Sequence, residues 1–201
     1  MNLYRNPPPR GHIVCCDERG PLPTIPRGGQ AWGRRAQRRR DRYERHGTLQ
    51  WFGAFCPTTG WAVGKGFAHK SANDCRAFWQ DYLFPSWPQG SIHLVLDNLS
   101  AHVKALRELP SPLRRRLRLY WLPTNSSWLN LIESYFATLK PTALDNTDYR
   151  TPDEIEPGLL AGVRYLNAPP TSYCWTKISR SSCETPLACH REPGYHLLSS
   201  P

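Results

Sequence analysis

Short apolar runs alternate along the chain with segments of helical periodicity. Five runs are bounded by turns or prolines, as expected of β-strands: residues 12–17, 49–56, 61–67, 92–96 and 118–122. Pro57-Thr-Thr-Gly60 separates the second run from the third, which predicts a β-hairpin. The fourth run is apolar almost throughout, which is typical of a strand covered on both faces.

Four segments repeat apolar residues at the spacing of one helix face: residues 71–84, 101–109, 130–140 and 152–166. Asn130 can cap the third helix, and Pro157 is expected to kink or split the fourth. The order of elements is strand, hairpin, helix, strand, helix, strand, helix. This order predicts an α/β fold, with a mixed sheet of about five strands and helices packed on it.

Composition divides the chain into three parts. Residues 1–10 are rich in proline and are predicted to be a disordered leader. Residues 11–167 carry the periodic pattern and are predicted to form one domain. Residues 168–201 are rich in Pro, Ser and Cys, with little periodicity, and are predicted to be a disordered tail. The cysteines before the tail lie in apolar or helical contexts, which predicts reduced, buried thiols in a cytosolic protein.

The chain is strongly basic, with 26 Lys and Arg against 16 Asp and Glu and a net charge of +10. Such an excess indicates a polyanionic partner, most simply nucleic acid. Arginines that neutralise phosphates add affinity without sequence preference, and two segments supply the candidates: Arg34, Arg35, Arg38, Arg39, Arg40, Arg114, Arg115 and Arg116. A solvated basic loop is the alternative for the first segment. No apolar run is long enough to span a membrane.

Three acids stand where predicted elements begin or end. Asp17 ends the first strand, Asp97 follows the fourth, and Glu133 lies in the first turn of the third helix. This layout would bring carboxylates to one edge of the sheet, where open α/β sheets bind ligands. Mg²⁺ favours a few carboxylates plus water and substrate phosphates. Two such ions, about 3.5–4 Å apart, promote an in-line phosphoryl displacement.

Each acid also has a purely structural interpretation. Glu133 falls three residues after Asn130 and could be its partner in a capping box. Asp97 and Asn98 could form an ordinary strand-to-turn junction, since such side chains hydrogen-bond locally. Asp17 could equally start a turn at the end of its strand.

Two motifs carry a resemblance to a known family. They are Leu96-Asp-Asn-x-x-x-His102 and Leu122-Pro-Thr-Asn-Ser-Ser-Trp-Leu-Asn-Leu-Ile-Glu-Ser-Tyr-Phe-x-x-Leu-Lys140. Together they resemble the catalytic core of the DDE transposases, in particular the mariner-like superfamily and its bacterial insertion-sequence relatives. Upstream, Asp17-Glu18 and Gly29-Gln-Ala-Trp-Gly33 are similar to the same family. The resemblance covers residues 11–170.

The resemblance implies a ribonuclease-H-like fold and metal-dependent DNA strand cleavage and strand transfer. It implies that Asp17, Asp97 and Glu133 are the catalytic acids and hold Mg²⁺ or Mn²⁺, as two ions. Asn98 and His102 match family positions near the site. DNA, as transposon ends and target, is the implied partner, with a homodimer as a further expectation. The implied location is the bacterial cytoplasm, at the nucleoid.

One departure from the family bears on function. Family members usually carry an N-terminal helix-turn-helix region that recognises the terminal repeats, whereas almost nothing precedes Asp17 here. We therefore expect a truncated copy, or a chain whose helix-turn-helix half is supplied separately. Two functions stay open at this point: a DNA endonuclease and strand transferase, or a catalytically inactive remnant that only binds DNA or dimerises. A ribonuclease or junction resolvase of the same fold fits the two motifs less well.

Overall fold

The structure is a computed structural model that describes residues 3–24, 47–123, 126–145 and 147–172. Its strands are β1 (His12–Pro23), β2 (Thr48–Phe55), β3 (Ala62–Phe67), β4 (Ile92–Leu96) and β5 (Leu117–Trp121). Its α-helices are α1 (Ala72–Phe78), α2 (Phe84–Ser86), α3 (Ser100–Glu108), α4 (Ser111–Arg116), α5 (Ile132–Ala143) and α6 (Pro152–Leu166). A π-helical turn, Trp79–Leu83, joins α1 to α2, and a 3₁₀ turn, Ser127–Leu129, precedes α5.

The five strands form one mixed sheet in the order β3-β2-β1-β4-β5. Strands β1, β2 and β3 pair antiparallel, while β4 is parallel to β1 and β5 is parallel to β4. The predicted hairpin is confirmed as β2 and β3. The predicted five-stranded mixed sheet with flanking helices is confirmed as well.

Strand β1 is longer than the sequence predicted. It was expected to end at Asp17 but continues to Pro23, because its antiparallel pairing with β2 reaches from Cys15 to Pro23. The register shifts between Arg19 and Leu22, and this irregularity accommodates Gly20-Pro21 without ending the strand. Asp17 therefore lies inside β1.

Helix α6 is continuous through Pro157, so the predicted split is wrong, whereas the predicted kink stays a prediction. Proline removes one hydrogen bond from the helix ladder. The apolar face of α6 nevertheless stays buried in the core cluster that α5 also lines, through Ile155, Leu159 and Val163. This burial stabilises the uninterrupted helix.

Each face of the sheet carries its own apolar cluster. Successive side chains of a strand point to opposite faces, so Ile13 and Cys15 pack with α5 and α6, while Val14 and Cys16 pack with α1 and α3. The four cysteines that precede the tail, Cys15, Cys16, Cys56 and Cys75, are buried free thiols, as predicted. The same alternation places neighbouring residues 17 and 18 on opposite faces.

The two ends of the chain differ in how far the structure describes them. Residues 3–10 form no helix or strand, yet Leu3 and Tyr4 pack against the α5 side of the core, and the Tyr4 hydroxyl donates to the Leu129 carbonyl at 3.0 Å. Most of the predicted tail, residues 173–201, lies outside the described residues. The boundaries at residues 10 and 167 stay predictions. No described helix is both long and apolar enough to cross a bilayer.

Gly53 lets α5 approach the sheet directly opposite Asp17. It pairs with Asp17 across the ladder, and a Cβ atom there would lie 2.7 Å from Phe136 Cε1 and 3.1 Å from Ile132 Cδ1. We expect Gly53→Ala to lower the free energy of unfolding by about 1–3 kcal/mol, because the added methyl overpacks this contact. Urea denaturation measures the change. Combining it with Phe136→Leu should cost less than the two single effects added together, and strict additivity would contradict the contact.

Candidate active site

Asp17 and Asp97 lie side by side where β1 and β4 stop pairing. The last paired residues are Cys15 and Val95, and each acid stands two residues further along its chain. Neighbouring strands are about 4.8 Å apart, so the two carboxylates come from adjacent backbones. Asp17 is 9% exposed, whereas the Asp97 side chain is 37% exposed.

Glu133 approaches Asp17 from a different element of the fold. It lies in the first turn of α5, which packs on β1 and β2. Its side chain is 42% exposed, and Arg19 Nη1 lies 3.7 Å from its Oε2. The charges of Asp97 and Glu133 both act on the carboxyl group of Asp17. The three acids therefore lie close enough for the charges of Asp97 and Glu133 to act on Asp17, and a shared metal site stays a prediction.

Asn130 does not cap α5, contrary to one prediction. The helix begins after Leu131 without a side-chain cap, so the capping-box interpretation of Glu133 is wrong. Asn130 is instead 1% exposed, and its Nδ2 donates to the Cys16 carbonyl at 3.1 Å and to Asp17 Oδ2 at 3.4 Å. Its Oδ1 is buried without a hydrogen-bond partner among the described residues. Asn130 therefore positions Asp17, a role that its sequence context did not reveal.

When Asp17 is ionised, no ion pair in the described protein balances its charge, although Lys70 acts on it from beyond ion-pair distance. Burial raises the pKa of Asp17 to about 7; the hydrogen bond from the Glu18 amide opposes this shift, and repulsion from Glu18, Asp97 and Glu133 adds to it. No cationic side chain in the described ranges pairs with Asp17. A buried carboxylate among other acids favours a bound cation.

On the opposite face, His102 lies between two acids. It is 1% exposed; its Nε2 is 2.7 Å from Glu18 Oε1, and its Nδ1 is 2.8 Å from Asp97 Oδ1. Lys70 Nζ lies 3.0 Å from the other Glu18 oxygen. Burial acts to lower the pKa of His102, but hydrogen bonds with Asp97, Cys75 and Glu18 raise it to about 12. The ring is therefore charged at neutral pH, and both nitrogens donate.

These contacts keep the two acids beside His102 ionised. Burial acts to raise the pKa of Glu18 and of Asp97, but the hydrogen bonds and the charge of His102, with Lys70, outweigh it. Both pKa values therefore lie below their ordinary range. Glu18 and Lys70 are 84 and 32 positions from His102 in the chain, so only the fold reveals this group.

Of the other residues predicted to lie near the site or to contact DNA, some are described by the structure and some are not. Asn98 is exposed beside Asp97. Arg114 and Arg115 are exposed on α4. Because α4 precedes β5, it lies at the opposite end of the parallel strands from Asp97. The length of a five-residue strand separates the two ends by about 16 Å. The predicted contacts Arg34, Arg35, Arg38, Arg39 and Arg40 lie outside the described residues.

Arg116 has a structural role that the sequence did not predict. Its Nε donates to the Gly90 carbonyl at 3.0 Å, and its Nη2 donates to the Trp87 carbonyl. The guanidinium also lies over the Phe84 ring, 5.5 Å from its centroid. These contacts tie α4 to the segment that leads into β4.

Among the described residues, one group of side chains already has its ligand atoms close enough together for a metal ion. One ligand atom each from Glu18, Cys75 and His102 lies within 4.8 Å of the others. There, however, His102 and Lys70 already balance the charge of Glu18. The acids Asp17, Asp97 and Glu133 offer hard oxygen ligands, which Mg²⁺ and Mn²⁺ prefer, but their ligand atoms do not all lie within 4.8 Å of one another. By donor type, the three acids suit these ions better than the group around His102.

The family model for the DDE superfamily endonuclease matches residues 12–156, more than half of the chain. The chain belongs to this family. The matched segment contains every element from β1 to α5 and all three acids. The resemblance to DDE enzymes that the two motifs indicated is thereby confirmed. No curated protein matches the sequence.

Two solved structures are similar to this DDE family member. The simian T-cell lymphotropic virus intasome, in complex with PP2A regulatory subunit B56 gamma, contains a chain with 12% identity and a TM-score of 0.50; the match covers 94% of this chain and 60% of that one. A chain of the Mos1 mariner paired end complex with Mn has 14% identity and a TM-score of 0.44, over 78% and 53% of the two chains. This protein thus spans less than two thirds of either. The first likeness agrees with a ribonuclease-H-like fold.

Proposed function

We propose that this chain carries the catalytic core of a DNA transposase, which cleaves and transfers DNA strands with divalent metal ions held by Asp17, Asp97 and Glu133. The observation that carries the proposal is the buried Asp17, which has no ion-pair partner among the described residues and on which the charges of Asp97 and Glu133 act. Membership in the DDE endonuclease family supports it. Two bound Mg²⁺ or Mn²⁺ ions would supply an activated water or 3′ hydroxyl and stabilise the leaving oxygen.

Each of the three acids would need a different change before it could bind a metal ion. Asp17, with a pKa of about 7, releases its proton when a cation binds. Asp97 is already ionised beside His102. Glu133 would have to break its ion pair with Arg19, and an exposed ion pair of this kind contributes about 0–1 kcal/mol of stability. Asn130 holds Asp17 in place from the buried side.

The basic surface would hold the DNA. A net charge of +10 favours a polyanion over the whole molecule. A duplex that touches both the acids and α4 has to run along the strands for about 16 Å, roughly five base pairs at 3.4 Å each. The transposon ends and target, a homodimer and a separate helix-turn-helix half remain further parts of this proposal.

Nicking of supercoiled plasmid tests the proposed activity. We expect the purified protein to convert supercoiled DNA to open circles with Mg²⁺ or Mn²⁺, and not with excess EDTA. The same preparation, shown to be folded by circular dichroism, serves for both conditions. Absence of nicking with either metal would contradict the proposal.

A second function, DNA binding without cleavage, is favoured by one observation. Two of the three acids already have cationic neighbours, since His102 pairs with Asp97 and Arg19 with Glu133. A site neutralised in this way could persist without a metal. This alternative predicts salt-sensitive, sequence-indifferent DNA binding, and no nicking under any divalent ion.

The arginines of α4 provide a test of DNA contact. Replacing Arg114 and Arg115 together by Ala should reduce the slope of log affinity against log salt by up to about 2. A matched control replaces Arg150 and Arg164, two exposed arginines on another part of the surface, and removes the same charge. Fluorescence anisotropy with a labelled duplex measures both slopes. Equal slopes for the two double variants would exclude a specific contact by α4.

A further inference from the structure

We propose that His102 and Glu18 form a clamp that fixes the Asp97 carboxylate, so that Oδ2 alone faces the bound metal ion. This inference rests on the proposed function. It makes His102 a positioning residue that acts through Asp97, and it gives Glu18 the role of holding His102.

The contacts of Asp97 show which of its oxygens is occupied. His102 Nδ1 forms an ion pair with Oδ1 at 2.8 Å and donates a hydrogen bond to the carbonyl oxygen of Asp97 at 3.2 Å. Oδ1 is buried, although the whole side chain is 37% exposed. The exposed part of the carboxylate is therefore Oδ2, and because the two oxygens are equivalent, one of them faces His102 while the other is left for the metal ion.

Glu18 holds His102 from the other side of its ring. The Glu18 side chain is 2% exposed, and its Oε1 lies 2.7 Å from His102 Nε2. Lys70 forms an ion pair with the other carboxylate oxygen, Oε2, so both oxygens of Glu18 have a cationic partner. Because β1 is a rigid sheet strand, this contact fixes the ring relative to the sheet.

The clamp also connects the two central acids. Glu18 follows Asp17 directly in β1, and its amide donates to Asp17 Oδ1 at 2.8 Å. The residue whose side chain fixes the ring thus fixes Asp17 through its backbone. Partners of this kind behind a metal ligand change metal affinity by about 10–100-fold when they are removed.

Two substitutions of His102 separate positioning from simple structural support. The amide nitrogen of Asn occupies the place of Nδ1, and that of Gln the place of Nε2. His102→Asn therefore keeps a donor to Asp97, while His102→Gln keeps only a donor to Glu18. Both variants lose the buried charge and about the same packing, so a purely structural role predicts similar effects.

Electron paramagnetic resonance of free Mn²⁺ measures metal affinity without reference to activity. We expect His102→Gln to weaken Mn²⁺ binding about 10–100-fold, and His102→Asn to weaken it at least threefold less than that. Lys104→Gln, at an exposed position of α3, controls for the loss of one positive charge. Circular dichroism establishes that each variant is folded.

The outcomes distinguish this inference from the proposed function. Equal affinities for the two His102 variants, with wild-type protein that binds Mn²⁺ and nicks DNA, would overturn the clamp alone. Wild-type protein that binds no Mn²⁺ would overturn both. If the variants do not fold, ¹⁵N resonances of the wild-type ring decide: addition of Mg²⁺ should shift Nδ1 more than Nε2, and no shift at Nδ1 would overturn the clamp.

Discussion

Replacement of Asp17 by Asn is expected to stabilise the metal-free protein and to abolish its stabilisation by Mg²⁺. The pKa of Asp17 rises from its ordinary 3.8 to about 7 in the folded chain, chiefly because of burial. Between these pH values the folded chain keeps a proton that the unfolded chain has released. The stability contributed by this group therefore falls as pH rises through that window, by at most about 4 kcal/mol. Because the new amide has only one oxygen, it can accept from Asn130 or from the Glu18 amide but not from both, which makes the gain smaller.

Thermal unfolding at pH 5 and pH 8, in EDTA and in Mg²⁺, measures this effect. The advantage of Asp17→Asn over wild type in EDTA should be larger at pH 8. Glu18, Asp97 and His102 contribute their own pH dependence, but they are present in both proteins, so their effects largely cancel in the difference. In Mg²⁺ only the wild type should gain stability. A variant that is no more stable than wild type at pH 8 would contradict the unbalanced charge.

The second large effect concerns Asp97. Asp97→Asn should reduce metal-dependent plasmid nicking by on the order of 10³-fold or more, because residues that act as a unit in catalysis lose nearly the whole effect when one is removed. The amide keeps the size of the side chain and an oxygen for His102, so the fold should survive.

The matched control for this variant is Asp81→Asn. Asp81 is exposed on the π-helical turn, an element that carries none of the three acids, and its replacement removes the same charge. Rates of nicking at saturating Mg²⁺ compare the two variants with wild type. Asp97→Asn protein with nicking close to that of Asp81→Asn would remove Asp97 from the reaction.

The parts of the fold that the sequence predicted well are those with an unambiguous pattern. Strand β4 was predicted at its observed bounds, because its apolar run is flanked by Gly90-Ser91 on one side and polar residues on the other. The end of β1 was predicted wrongly, since Glu18-Arg-Gly-Pro21 has the chemistry of a turn. Pairing with β2 overrode that local preference through an irregular register.

In the candidate site, too, local motifs were predictable from the sequence, whereas contacts between distant residues were not. Its three acids could be selected because they stand in recognisable local contexts. Asn130 was assigned to helix capping because it lies three residues before Glu133. Its actual partner, the Cys16 carbonyl in β1, is 114 positions away, and no local pattern indicates that contact. The contact of Glu18 with His102 joins residues 84 positions apart, and no local pattern encodes it.

The proposed function requires Asp17, Asp97 and Glu133 to hold a divalent metal ion together. Anomalous X-ray diffraction from crystals soaked in Mn²⁺ tests this directly. We expect an anomalous peak within coordination distance of carboxylate oxygens from all three acids, with Asp97 bound through Oδ2. A peak only at Glu18, Cys75 and His102, or no peak at a fully soaked and ordered site, would contradict it.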